Sequence, residues 1–129
     1  MTTGDPTYDA GMAVRRAVLG DAHVDRAEAA KTPFTTDFQA FITRTAWGTV
    51  WTRDGLDRRT RSIATLTALL ALGHWDEFVL HVRAARRNGL APDEIGELIL
   101  HSSVYCGVPA ANHAFALAQR VLSEEQPED

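Results

Sequence analysis

The stretch DRRTRSIATLTALLALGHWDEFVLHVRAARRNGLAPDEI, residues 57–95, decides the fold class. Asp57 places a carboxylate at the positive end of a helix. Ile63, Leu66, Leu70 and Gly73 then recur at steps of three and four residues, the spacing of one helical face. Gly73 marks a turn. A second helix runs from about Trp75 to Asn88, and Gly89 occupies the position favoured for a left-handed C-terminal cap. Pro92, Asp93 and Glu94 open a third helix, because proline is tolerated at a first helical position and acids complement the helix dipole. Ile95, Leu98 and Ile99 are its apolar positions.

The flanks extend the same pattern. Upstream, Tyr8 to Leu19 form a helix that ends at Gly20, residues 20–33 make an ordered connector, and Phe34 to about Val50 form another helix. Phe38, Phe41, Ile42 and Trp47 give that helix its apolar positions, and Trp51 to Gly55 break it. Downstream, Gly107 and Pro109 interrupt the chain before a last helix with a narrow stripe of Ala111, Ala114, Phe115, Ala118, Val121 and Leu122. No segment alternates like a strand, and none repeats. The expectation is one all-α domain of about six helices over residues 1–129, with its core at about 8–122 and frayed polar ends.

Composition narrows the function. Hydrophobic residues make up 45% of the 129, enough for a core, and a net charge of −4 disfavours a nucleic-acid partner. Twelve arginines stand against one lysine, with Arg53, Arg58, Arg59 and Arg61 close together. Arginine holds planar carboxylates through two parallel hydrogen bonds, although a solvated helix face with surface ion pairs has the same composition. One cysteine, Cys106, excludes an intramolecular disulfide, a dithiol redox centre and a multi-cysteine metal site. The first residues lack a signal-peptide pattern and no stretch approaches a membrane span, so a soluble cytoplasmic chain with no membrane partner is expected.

The chemistry-bearing segment is HWDEFVLH, residues 74–81. His74, Glu77 and His81 are spaced i, i+3 and i+7 and share one helix face. Glu77 and His81 are one turn apart, so the carboxylate can hydrogen-bond the imidazole, fix its tautomer and favour its protonated form. Phe78 and Val82 flank this face. An ordinary surface helix pair has the same spacing, and a His-Glu-His metal site is a further reading, though the spacing is not that of the metalloprotease helix. His101, Tyr105 and His113 read as core polar groups. Trp47 and Trp51 read as core or as the apolar wall of a pocket.

The strings RRAVLGDAHVDRA (15–27), WGTVWTRDGLDRRTRSIATLTALLALG (47–73), EFVLHVRAARRNGLAPDEI (77–95) and HSSVYCGVPAANHAF (101–115) resemble the γ-carboxymuconolactone decarboxylase family, from about Tyr8 to Leu122. The same superfamily includes alkyl hydroperoxidase D, whose active helix resembles Cys-x-x-Cys-x-x-x-His. Those positions are His74, Glu77 and His81 here, and the relative's upstream glutamate falls at Ser62. Without a dithiol there is no peroxidase cycle.

The resemblance implies an all-α fold, no cofactor or metal, and a homo-oligomer, commonly a hexamer. It implies a small-molecule substrate, the lactone dicarboxylate 4-carboxymuconolactone, converted to β-ketoadipate enol-lactone and CO2. On that reading His81 donates a proton, Glu77 orients it or exchanges roles with it, and His74 is a second donor. Arg61, Arg58 and Arg53 hold carboxylates, and Trp47 walls the pocket. A non-catalytic helical oligomer on the same fold and an enzyme for a related lactone are the alternatives.

Overall fold

The computed structural model describes residues 2–125, which contain seven α-helices, a π-helical segment and no strand. The all-α expectation holds, with one helix more than anticipated. The chain divides into two compact units, Met1–Arg58 and Arg59–Asp129. Among the described residues no helix is long and apolar enough to cross a membrane. The acidic C-terminal end expected to fray lies mostly outside those residues.

In the first unit, helix α1 spans Pro6–Leu19. The Asp5 carboxylate caps it by accepting from the Tyr8 amide at 3.1 Å, which satisfies one of the amides a helix start leaves open. Gly20, at φ 90°, ends α1, and α2 (Asp21–Ala29) begins immediately after it. Residues 20–33, expected as a connector, therefore contain a helix. Its hydrophobic signal is faint because Val24 is its one fully buried apolar side chain. Arg16, bonded to Asp21 at 3.1 Å and Asp25 at 2.8 Å, ties it to α1 instead.

Helix α3 (Thr36–Ile42) runs without a break into the π-helical segment Thr43–Val50, where the Trp51 amide donates to the Ala46 carbonyl five residues back. Alpha1 crosses this segment at glycines. A Cβ on Gly11 would overlap the Thr43 carbonyl oxygen, and one on Gly48 would meet the Thr7 carbonyl oxygen at 2.5 Å. Beside the crossing lies a buried charge: Arg15 reaches Gln39 Oε1 at 3.1 Å and Thr43 Oγ1 at 3.4 Å, with Glu28 at 3.9 Å. Burial holds the Arg15 guanidinium below its ordinary range, and Glu28 opposes that shift.

The second unit contains α4 (Arg58–Leu72, apart from its first residue), α5 (Trp75–Arg87), α6 (Pro92–Cys106) and α7 (Val108–Glu124). Gly73 (φ 72°), Gly89 (φ 96°) and Gly107 (φ 95°) make the turns between them, conformations in which a Cβ is strained. Leu66, Leu70, Phe78, Val82, Ile95 and Ile99 form the centre of a single apolar core, closed by the alanines of α7. The small residues let α7 approach closely, as its stripe suggested, although Phe115 stays partly exposed.

Alanine at Gly11 tests the crossing. In an open helix this change stabilises by about 0.5–1 kcal/mol. Here the overlap with backbone atoms reverses the sign, and a loss of at least about 1–3 kcal/mol is expected from overpacking. Urea unfolding of Gly11→Ala showing equal or greater stability would contradict the described contact.

Candidate functional site

Helix α5 separates its residues by environment. Phe78 and Val82 are fully buried, His74 and Glu77 are exposed, and His81 is half-buried. The structure therefore places the sequence-predicted trio on one face that borders the core. His74 sits at the N-terminal boundary of α5. Its amide donates to the Leu69 carbonyl and its carbonyl accepts from the Phe78 amide, each at 2.9 Å. Glu77 is exposed and His81 half-buried, one turn apart on α5. Among the described residues no group of three His, Cys, Asp or Glu side chains is arranged to hold a metal.

Neighbouring helices fix which way this face looks. Arg83 bonds Glu124 at 2.9 Å and Arg86 bonds Glu125 at 2.8 Å, so their flank of α5 is turned toward α7. His81 is two residues from Arg83, roughly 200° around the helix, and so lies on the other flank. Asn88, seven residues after His81, follows the same stripe and donates through Nδ2 to Ser62 Oγ of α4 at 2.8 Å. Asn88 thus ties the C-terminal end of α5 to α4.

On α4, Ile63 and Thr67 line a groove shared with α6, and Arg59 pairs with Glu94 at the start of α6. The stripe Arg61, Thr65 and Leu69 lies on the opposite flank, beside Ser62, and each of the three is half-buried. The Asn88–Ser62 bond levels Arg61 with the C-terminal end of α5. His81 lies two turns before Asn88 along α5, roughly 10 Å at 1.5 Å per residue.

The remaining candidates belong to the first unit or to its boundary. Arg53 is exposed in the turn after the π-helical segment, and Arg58 is exposed at the first position of α4. Trp47 is 6% exposed, with its ring 5.2 Å from that of Trp51. Arg59 is committed to Glu94.

His101, Tyr105 and His113 are exposed rather than core groups. Tyr105 stacks at a tilt on His101 at 5.3 Å, and His113 meets the edge of Trp75 at 4.6 Å. Several of their apolar sequence neighbours, Leu100, Val104 and Val108, are exposed with them. Asn88 is the residue that sequence reasoning read only as a helix end; its i+7 step from His81 was the available signal.

A model of the carboxymuconolactone decarboxylase family matches residues 36–120. The chain is 50% identical over 117 residues to the 4-carboxymuconolactone decarboxylase of Acinetobacter baylyi, covering 91% of this chain and 87% of that one. It is 44% identical over 117 residues to the nitrosuccinic acid decarboxylase of Metarhizium robertsii, covering 91% and 82%. A 41-residue stretch is 63% identical to a 4-carboxymuconolactone decarboxylase of Pseudomonas putida, 32% of this chain and 85% of that one. The resemblance read from the sequence is borne out.

Ser62 is fully buried and Asn88 is its partner. Asn88→Ala strands that hydroxyl, so a loss of about 1–3 kcal/mol is expected. The Asn88→Ala, Ser62→Ala double variant should recover part of it. Equal denaturation midpoints for wild type and Asn88→Ala would show that the bond does not hold the two helices.

Proposed function

We propose, for a chain that belongs to the carboxymuconolactone decarboxylase family, that it removes CO2 from 4-carboxymuconolactone to give β-ketoadipate enol-lactone, and does so without a cofactor. The observation that carries the reading is 50% identity to a decarboxylase of that name over 91% of the chain. Within this reading we assign the chemistry to Glu77 and His81 on α5.

The substrate carries its departing carboxylate on the ring carbon next to a C=C conjugated with the lactone carbonyl. When the C–CO2 bond breaks, its electron pair moves through the alkene into the carbonyl, leaving a dienolate. A proton then bonds to the ring carbon beside the carbonyl. The substrate supplies its own electron sink, so the protein supplies orientation, charge stabilisation and a proton.

His81 is the proton donor in this reading and regains its proton from water. Glu77, one turn away, closes on the imidazole when substrate displaces water, since catalytic hydrogen bonds often tighten only in the complex. The reverse assignment, with Glu77 as the acid, uses the same face. His74 is a second donor at the open end. Arg61 holds the carboxylate end of the substrate.

The second relative widens the substrate class. Nitrosuccinic acid, the compound in its name, is a dicarboxylic acid whose nitro group can take up an electron pair. Both named compounds pair a carboxylate with an electron-accepting group. The lactone is preferred because its decarboxylase is the more similar of the two.

Assembly into a homohexamer belongs to the same reading. Phe34, Phe38 and Phe41 leave an aromatic stripe exposed on and beside α3, and Leu100, Val104 and Val108 leave an aliphatic one at the α6–α7 junction. Apolar stripes of this kind mark surfaces that partners cover.

Purified protein mixed with 4-carboxymuconolactone should consume the lactone and release CO2, with or without a chelator; no turnover would reject the reading. His81→Ala should lower kcat by about 10²–10⁴-fold, the range for a lost general acid, and Glu77→Gln should lower it less. Arg61→Ala should instead raise KM. Near-normal kcat in a folded His81→Ala protein would move the proton to another donor. Sedimentation should show a hexamer at micromolar concentration, and a monomer would remove the assembly from the proposal.

A further inference from the structure

We propose that the exposed phenylalanines of one copy of this chain seat in the apolar groove between α6 and α7 of the next copy. The inference rests on the assembly reading above and names the surfaces that meet. The groove encloses about 460 Å³ and is lined by Ile95 and Ile99 of α6 and by Phe115, Ala118 and Leu122 of α7. An apolar cavity of roughly 150 Å³ accommodates a benzene ring, so this one has room for more than one phenyl group. Gly96, which also lines it, keeps it open. Glycine inside a helix weakens it relative to alanine, and here neither a positive φ nor crowding calls for one. A Cβ at Gly96 would meet Phe115 at 4.0 Å, an ordinary contact.

The matching surface is on the same chain. Phe34, Phe38 and Phe41 are 95%, 61% and 58% exposed. Burying one aromatic side chain removes about 150–250 Å² from water, so these exposed portions amount to roughly 300–550 Å². The groove that covers them loses a similar area. The two sides together supply about half or more of the ~1,200 Å² at which stable interfaces begin. Gln119 and Ser123, at the same groove, add a polar rim. A small ligand in the groove leaves the phenylalanines in water, and pairing stripe on stripe leaves the groove empty. One head-to-tail contact covers both. Repeated from copy to copy, a contact of that kind ends in a finite assembly by closing into a ring.

The test joins two cysteine variants made in a Cys106→Ala background. Asp37→Cys lies beside the stripe and Gln119→Cys at the groove, and both positions are exposed. Co-expressed, the two should be linked into covalent dimers by a short bismaleimide, while neither variant alone should be. In sedimentation, Phe34→Ser and Gly96→Leu should each raise the concentration of half-dissociation by about tenfold or more, the effect of losing an interface anchor. If Gly96→Leu does not fold, the fully exposed Phe34→Ser decides. Wild-type assembly in Phe34→Ser, or linking of either cysteine variant to itself and not to the other, would overturn the contact. Failure of the assembly reading is separately visible, because wild-type protein would then sediment as a monomer.

Discussion

One hydrogen bond sets the geometry on which the candidate site depends. Asn88 closes helix α5 and donates to Ser62, a fully buried hydroxyl in the first turns of α4. Two antiparallel helices joined by a glycine turn are free to slide and roll until something near their far ends fixes them. This bond does so at the end opposite Gly73. Leu66, Leu70, Phe78 and Val82 share one apolar core, but apolar attraction is non-directional. The amide–hydroxyl pair supplies the register, and with it the height of Arg61 relative to His81.

The same arrangement explains how one helix serves two solvents. Phe78 and Val82 sit inside the core while Glu77 and His81, their immediate neighbours, stand at its edge. A group at such a border has a rigid base and a wettable tip, which suits proton delivery to a bound anion. The flank toward α7 is occupied by arginine–glutamate pairs, so the charges there are spent on the fold. Arginine abundance alone does not distinguish the two uses: Arg59, Arg83 and Arg86 are structural, and Arg61 owes its candidacy to its position.

Much of the fold was legible because periodicity and punctuation agree. Leu66 and Leu70, Gly73, Gly89, Pro92 and Gly107 mark the last four helices nearly residue by residue. Helix α2 was missed because an ion-paired helix with one buried valine carries little apolar pattern. The π-helical segment was read as ordinary helix, since its residues do not announce a five-residue hydrogen bond. In the site, the shared face of His74, Glu77 and His81 followed from spacing. The roles of Asn88 and Ser62 did not, because they arise from contact between helices. The exposure of His101 and Tyr105 was misjudged because their apolar neighbours Leu100, Val104 and Val108 are themselves exposed, so apolar surroundings in sequence did not mark a core position.

The π-helical segment also has a bearing on chain length. In an ordinary α-helix, removing one residue rotates everything beyond it by roughly 100° and carries buried side chains to the surface. Residues Thr43–Val50 already hold one residue more per turn than an α-helix does. Dropping a residue from within such a turn lets it tighten to α geometry while α3 on one side and Trp51 on the other keep their facing. The segment is thus a length buffer, the place in the first unit where a one-residue deletion is absorbed locally rather than propagated. Gly11 and Gly48, which bring backbone against backbone at the same point, limit how far that slack extends.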